Sequence, residues 1–275
     1  MIISPSSLDT NLSQLLDEVN SGKTQLPEFQ RDWTWDDNRI RGIIASLSQG
    51  YHMGAIMRLQ YGNPDIKFKY RTIKGVGQRD LAPDFLVLDG QQRLTSIYQA
   101  TYSKNPVATK TDKGKKIERY YYLSMEKCMD ENEDRYDAVL PVPADRKIKE
   151  NFDRDIKLDL SDQQKEYEHK MFPVNIIFDS NALMKWQFGY MMYYRELHRR
   201  AYRRAADGRA RRFSGLFGRR GELHQRREAR SLGRAGGAFA AVRRRVRAGG
   251  ESHGGGRAAH HGQQPRPVGD GAGGA

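Results

Sequence analysis

The sequence is short of cysteine, with only Cys128 in 275 residues. A single thiol excludes an internal disulfide framework and a cysteine-based zinc site within one chain, and it fits a reducing compartment. The N-terminal stretch MIISPSSLDT has neither the basic start nor the apolar run of a signal peptide. No apolar run approaches the roughly 20 residues that span a bilayer. These shortages lead us to expect a soluble, cytoplasmic protein with no membrane partner, long enough for one large domain or two small ones.

A further set of absences is local. From Arg199 to Ala275 the chain has no Lys, Ile, Asn, Thr, Met, Cys or Trp, although all seven occur earlier. That tail holds 19 Arg against 5 acids and 17 of the 27 glycines. The net charge of +13 therefore belongs to the tail, and the first 198 residues are close to neutral at −1. A body without excess charge does not carry the electrostatic signature of a nucleic-acid binder. Two readings of the tail compete. One is an Arg/Gly-rich disordered arm that binds nucleic acid. The other is translation out of frame, favoured by the abrupt change and by residues written largely with GC-rich codons. Translating the other two frames downstream of codon 198 separates them. The expected organisation is a folded domain over 1–198 and a low-complexity tail, frameshifted or disordered, over 199–275.

Within the body, Leu8, Leu12, Leu15, Leu16 and Val19 recur at helical spacing, with Ser6 and Ser7 as candidate caps and Gly22 as a stop. Asp36 or Asp37 caps a second helix whose stripe is Ile40, Ile43, Ile44 and Leu47. MGAIMRLQY (53–61), FLVLD (85–89), YYYLSM (120–125) and FPVNIIF (172–178) read as extended, with a short strand within IKFKYR. Helices are expected at QRLTSIYQATYS, around 161–171 and over 181–197. KNPVATKTDKGKK reads as a flexible basic loop, and 126–170 is otherwise hard to assign. Strands and helices interleave, so the fold class is mixed α/β (α+β).

Between FLVLD and the next helix stands Asp89-Gly90-Gln91-Gln92-Arg93. Its structural reading is a capped turn: Asp89 as N-cap, Gln92 three residues on as its capping-box partner, and Gly90 easing the bend. Its functional reading uses the same geometry. A helix N-terminus with an arginine in its first turn suits a phosphate. The glutamine amides can orient a water or read a base edge, and Asp89 can coordinate Mg²⁺ or polarise that water. The two readings are compatible. A second pair, Gln30-Arg31, sits in LPEFQRDWTW among Phe29, Trp33 and Trp35, which alternate as core residues would. Arg31 and Arg93 facing one anionic ligand would account for both pairs.

LPEFQRDWTW and, about 55 residues later, VLDGQQRLTSIYQ resemble the paired signatures of the GmrSD-type N-terminal domain, a bacterial family related to the ParB/sulfiredoxin fold. The intervening IIASLSQGYHMGAIMRLQ is also similar to that family's helix, glycine turn and strand. The similarity covers about residues 5–198, most clearly 24–100. It implies a ParB/sulfiredoxin-like N-terminal domain, with its helical continuation truncated here, in a DNA restriction or antiphage defence system. Nucleoside triphosphate would be bound and hydrolysed with Mg²⁺ at Asp89, Gln91, Gln92 and Arg93, with Asp89 on the metal. Gly90, Gln30 and Arg31 would complete the pocket. DNA, possibly modified, would be reached directly or through a nuclease domain or subunit, and homo-oligomerisation is left open. The alternative is a non-catalytic ParB-like module that senses nucleic acid or nucleotide. Sulfiredoxin-type chemistry would need a cysteine where Gln91 and Gln92 stand. His224, His253, His260 and His261, without a carboxylate or Asn partner at useful spacing, do not make a metal nuclease.

Overall fold

The computed structural model describes residues 10–62, 68–79, 81–151 and 154–206. It is a mixed α/β structure, as the interleaved pattern predicts, and its described residues form two four-stranded sheets and a two-stranded one. Helix α1 (Leu12–Ser21) buries Leu12, Leu15, Leu16 and Val19 on one face and ends at Gly22 in the left-handed region (φ 84°). Its cap is Asn11, whose Oδ1 accepts the Ser13 N–H at 2.9 Å. The expected caps, Ser6 and Ser7, lie outside the described residues. Helix α2 (Asp37–Gln49) is capped by Asp36, which accepts the Arg39 N–H at 3.0 Å, and it stops at Gly50.

The first sheet runs β2 (Met57–Gln60), β4 (Phe85–Asp89), β1 (Thr24–Pro27), β3 (Tyr70–Arg71). β1 and β4 are parallel, with Thr24 opposite Phe85, and the two outer strands are antiparallel to their neighbours. Leu26 and Val87 of the central strands pack on Leu16, Val19, Ile43, Leu94 and Ile97. The last two belong to α3 (Gln91–Ile97), which passes straight into a π-helical turn over Tyr98–Tyr102.

The second sheet is built on β6 (Lys116–Ser124). β7 (Val139–Pro143) lines one side of it, while β5 (Val107–Lys110) and β10 (Met171–Pro173) lie end to end along the other. Helix α2 is shared between the two halves: Ile43 faces the first core, whereas Ile40 and Ile44 join Tyr121, Leu123, Val139 and Phe172 in the second. Short helices α4 (Met125–Met129) and α5 (Arg135–Ala138) and the hairpin β8–β9 (Lys147–Glu150, Asp155–Asp159) fill the stretch that resisted assignment, and α6 (Gln163–Glu168) is the helix expected around 161–171.

Three expectations are corrected. The supposed basic loop after residue 103 holds a strand, β5, joined to β6 by a turn in which the Gly114 N–H donates to the Thr111 carbonyl at 2.9 Å. Its alternation, Val107 and Thr109 in and Ala108 and Lys110 out, is concealed by the lysines. Residues 172–178 are extended only to Pro173 before a 3-10 turn, Val174–Ile176. The last helix, α7, runs Ser180–Ala206, well past residue 197.

α7 docks through a buried carboxylate. Glu166 Oε2 accepts the Trp186 Nε1–H at 2.8 Å, and Oε1 accepts the Tyr122 hydroxyl at 3.1 Å. Arg146, its guanidinium over the Tyr120 ring, lies 3.6 Å from Oε1. Burial pushes the Glu166 carboxyl up, against the two donated hydrogen bonds and the Arg146 charge. Gly189 lets Tyr167 approach α7, since a Cβ there would lie 2.9 Å from the ring Cζ.

Candidate functional site

β4 is buried at Leu86 and Val87 and emerges at Asp89, whose side chain is 75% exposed. Gly90 then turns the chain at φ 89°. A side chain there would meet Ile56, whose Cγ1 would stand 3.0 Å from the added Cβ, so only glycine fits both backbone and space. Here the expected capping box is not formed. Gly90, not Asp89, is the N-cap of α3, and it makes no side-chain cap to the helix's first amides. The positive φ moves the helix start one residue on, leaving Asp89 free of a capping role and facing solvent.

Gln92 instead braces a distant segment. Its Nε2 donates to the Asp32 carbonyl at 2.9 Å and its Oε1 accepts the Thr34 N–H at 2.9 Å. It thus pairs with the backbone of 32–34 as a strand would. Gln91 Nε2 donates to the Arg31 carbonyl at 2.9 Å, and Gln30 Nε2 returns a bond to the Leu88 carbonyl at 2.7 Å. Trp33 Nε1–H donates to Ser96 Oγ at 2.9 Å, and that hydroxyl donates to the Gln92 carbonyl at 2.8 Å. Gln30, Gln91 and Gln92 are therefore brought together with the backbone of residues 31–34 and 88. Arg31 enters through its carbonyl, its side chain remaining exposed. Of the three aromatics, Trp33 is buried and Trp35 half-buried, but Phe29 is 66% exposed, contrary to the expected core role.

Arg93 is held from a side the sequence reasoning missed. Nη1 donates to the Met53 carbonyl and Nη2 to the Ala55 carbonyl at 2.9 Å, while Nη2 stands 3.6 Å from Asp89 Oδ2. Gly54, at φ 79°, lies between those carbonyls, and a Cβ there would overlap Arg93 Nη1. The glycine in YHMGAIM was the available signal. Arg71, likewise missed, donates from Nη2 to the Gln30 carbonyl at 2.9 Å and the Arg31 carbonyl at 3.3 Å, and it pairs with Asp32 at 3.3 Å.

The result is a strand-to-helix turn with an uncapped helix start, an exposed carboxylate, a fixed guanidinium and a facing wall at 30–34. Uncapped first-turn amides and the helix dipole favour an anion. Among the described residues no three His, Cys, Asp or Glu side chains converge as a metal cage. A hard cation at this turn would depend on Asp89 and on ligand oxygens, a donor set that suits Mg²⁺ with phosphates.

The model of the GmrSD restriction endonuclease N-terminal domain matches residues 12–211. The chain is also 30% identical over 183 residues to Uncharacterized protein MJ0686 of Methanocaldococcus jannaschii, a match covering 64% of this chain and 30% of that protein. The chain thus spans under a third of the length of that curated relative. No described helix is long and apolar enough to cross a membrane.

Proposed function

The chain belongs to the family of GmrSD restriction endonuclease N-terminal domains, and from that premise we propose that the β4–α3 turn is a nucleoside-triphosphate site. Nucleotide hydrolysis there would serve a DNA restriction or antiphage defence system. Strand cleavage would come from a nuclease domain or a separate subunit. The observation that carries this reading is the uncapped helix start at Gly90, flanked by exposed Asp89 and tethered Arg93.

In this reading the amides following Gly90 cradle phosphate oxygens, and Arg93 presents its guanidinium to them. Because two carbonyls already orient that guanidinium, little reorganisation is needed when charge builds up. Asp89 would hold Mg²⁺ together with the phosphates, and the ion would neutralise charge on the transferred group. Gln30, Gln91 and Gln92 hold the facing wall of the pocket. The test is phosphate release from triphosphate with Mg²⁺ by the full chain and by Asp89→Ala and Arg93→Ala. Each substitution is expected to lower kcat about a hundredfold or more. Unchanged turnover in both ends the catalytic assignment.

One observation favours a second reading. The Gln91 and Gln92 side-chain amides are both engaged with backbone, which leaves neither poised to orient a water. A module that senses nucleotide or nucleic acid without turnover accounts for that. It predicts saturable nucleotide binding with no phosphate release, and DNA affinity that falls steeply with salt.

A further inference from the structure

Phe29 is a large apolar ring left in water beside the candidate phosphate turn. The tight turn that carries it is fixed at both ends: the Gln30 N–H donates to the Pro27 carbonyl at 3.1 Å, and the Glu28 N–H to the Lys69 carbonyl at 2.9 Å. The ring meets Phe68 edge to face, with centroids 5.4 Å apart and planes at 68°. Such a pair occupies at most one face of each ring, and Phe29 remains 66% exposed. Nearby, Tyr70 of β3 meets Tyr61 at 5.4 Å and 80°, and the Tyr61 hydroxyl donates to the Phe68 carbonyl at 3.5 Å. Four aromatic rings from three segments thus gather beside the β1–β3 pairing.

The two segments that carry Phe29 and Phe68 are cationic on balance in sequence, with Arg31, Lys69, Arg71 and Lys74 against Glu28 and Asp32. Arg71 is drawn to Asp32 and the carbonyls of 30 and 31, and Lys74 Nζ lies over the Trp33 ring at 5.2 Å. Phe29 is adjacent to Gln30, whose amide is bonded to Leu88, the residue before Asp89. An open aromatic face on cation-rich segments, joined through Gln30 to a phosphate-suited turn, matches a ligand that is planar and aromatic at one end and polyanionic at the other.

We propose that Phe29, supported by Phe68, is a stacking platform for an unpaired nucleobase. This rests on the phosphate reading of the β4–α3 turn and adds the part of the ligand that the turn does not reach. The base is that of the bound nucleoside triphosphate or of an unpaired DNA strand. Stacking on an aromatic side chain tolerates any base, because every base offers a π-face. Binding at this platform therefore discriminates little between nucleotides.

The test measures binding of four probes to the full chain and to Phe29→Ala and Phe29→Trp: ATP, inorganic tripolyphosphate, oligo(dT) and an abasic oligonucleotide of equal length. Phe29→Ala is expected to weaken ATP roughly five- to a hundredfold, with tripolyphosphate unchanged and Phe29→Trp near wild type. A loss seen with oligo(dT) but not with the abasic strand or ATP assigns the platform to a DNA base. Equal affinities of Phe29→Ala and wild type for both base-bearing probes overturn the proposal. So does an equal loss for probes with and without bases, because that reports a damaged fold or electrostatics. If wild type binds neither ATP nor tripolyphosphate, the phosphate reading fails by itself. The platform is then judged by the two oligonucleotides, and failure to bind oligo(dT) overturns it as well.

Discussion

Glu166 should be among the most damaging positions to truncate, and its replacement by glutamine among the mildest. Its carboxylate is almost wholly buried and accepts from Trp186 Nε1 and the Tyr122 hydroxyl. Glu166→Ala strands both donors, each costing about 1–3 kcal/mol, and leaves Arg146 without its partner. Arg146 is one-third exposed, so solvent moderates that last part. The sum is about 3–5 kcal/mol, in the range found when one member of a buried pair is removed. That corresponds to a fall in Tm on the order of 10 °C. Glu166→Gln keeps the shape: its oxygen can accept from Trp186 and its amide can donate to the Tyr122 oxygen, at a cost within about 1 kcal/mol. The pH dependence has a definite sign. The folded carboxyl is raised above its unfolded value, so its contribution is complete below the unfolded pKa, about 4.3 for glutamate, and is lost as pH rises through the folded one. Wild type should therefore lose ground against Glu166→Gln as pH rises from about 4 toward neutrality. Urea titrations of the full chain, followed by circular dichroism, measure all of this. An alanine cost below about 1 kcal/mol, or a wild-type advantage that grows with pH, would refute the reasoning.

Gln92→Leu should cost about 1–3 kcal/mol, because it removes the hydrogen bonds to the Thr34 N–H and the Asp32 carbonyl, which solvent only partly replaces. It should also weaken tripolyphosphate binding; a urea midpoint within error of wild type would count against the brace. Gly54→Ala places a methyl against the Arg93 guanidinium at a positive φ, at about 1–2 kcal/mol for the backbone alone. Phosphate release should fall nearly as far as in Arg93→Ala although the arginine is still present, and wild-type turnover would show that the carbonyl clamp is dispensable.

The sequence was most informative where local periodicity and local chemistry agree. α1, α2 and β4 combine clean apolar stripes with Gly22, Gly50 and Gly90 as stops, and each was legible. β5 was not, because its four residues sit among lysines and acquire a strand's identity only by pairing with β6. β8 and β9 are likewise defined by each other. In the site, the composition of the Asp89–Arg93 turn was readable, but the hydrogen-bonding roles were not. The spacing from Asp89 to Gln92 fits a capping box, yet Gly90's positive φ shifts the helix start and frees Gln92 to bind residues 32–34. Phe29 alternates with Trp33 and Trp35 as a core residue would, but the turn at Pro27–Gln30 directs it outward. Arg71 and the Met53–Ala55 clamp belong to tertiary geometry that no local pattern records.

The glutamine tethers from Gln30, Gln91 and Gln92 join positions 58–60 residues apart. A turn shaped by such remote partners has no life as an excised peptide, and it closes only after the first sheet has formed. Its opening is coupled to the opening of that sheet, so amide hydrogens at the start of α3 should exchange with the slow class of the core and not with surface loops. Occupancy of the turn is then felt by the whole cooperative unit. A ligand present at a hundred times its Kd adds about 2.7 kcal/mol to the folded state. A melting curve of the intact chain thus reports on a pocket only a few residues wide.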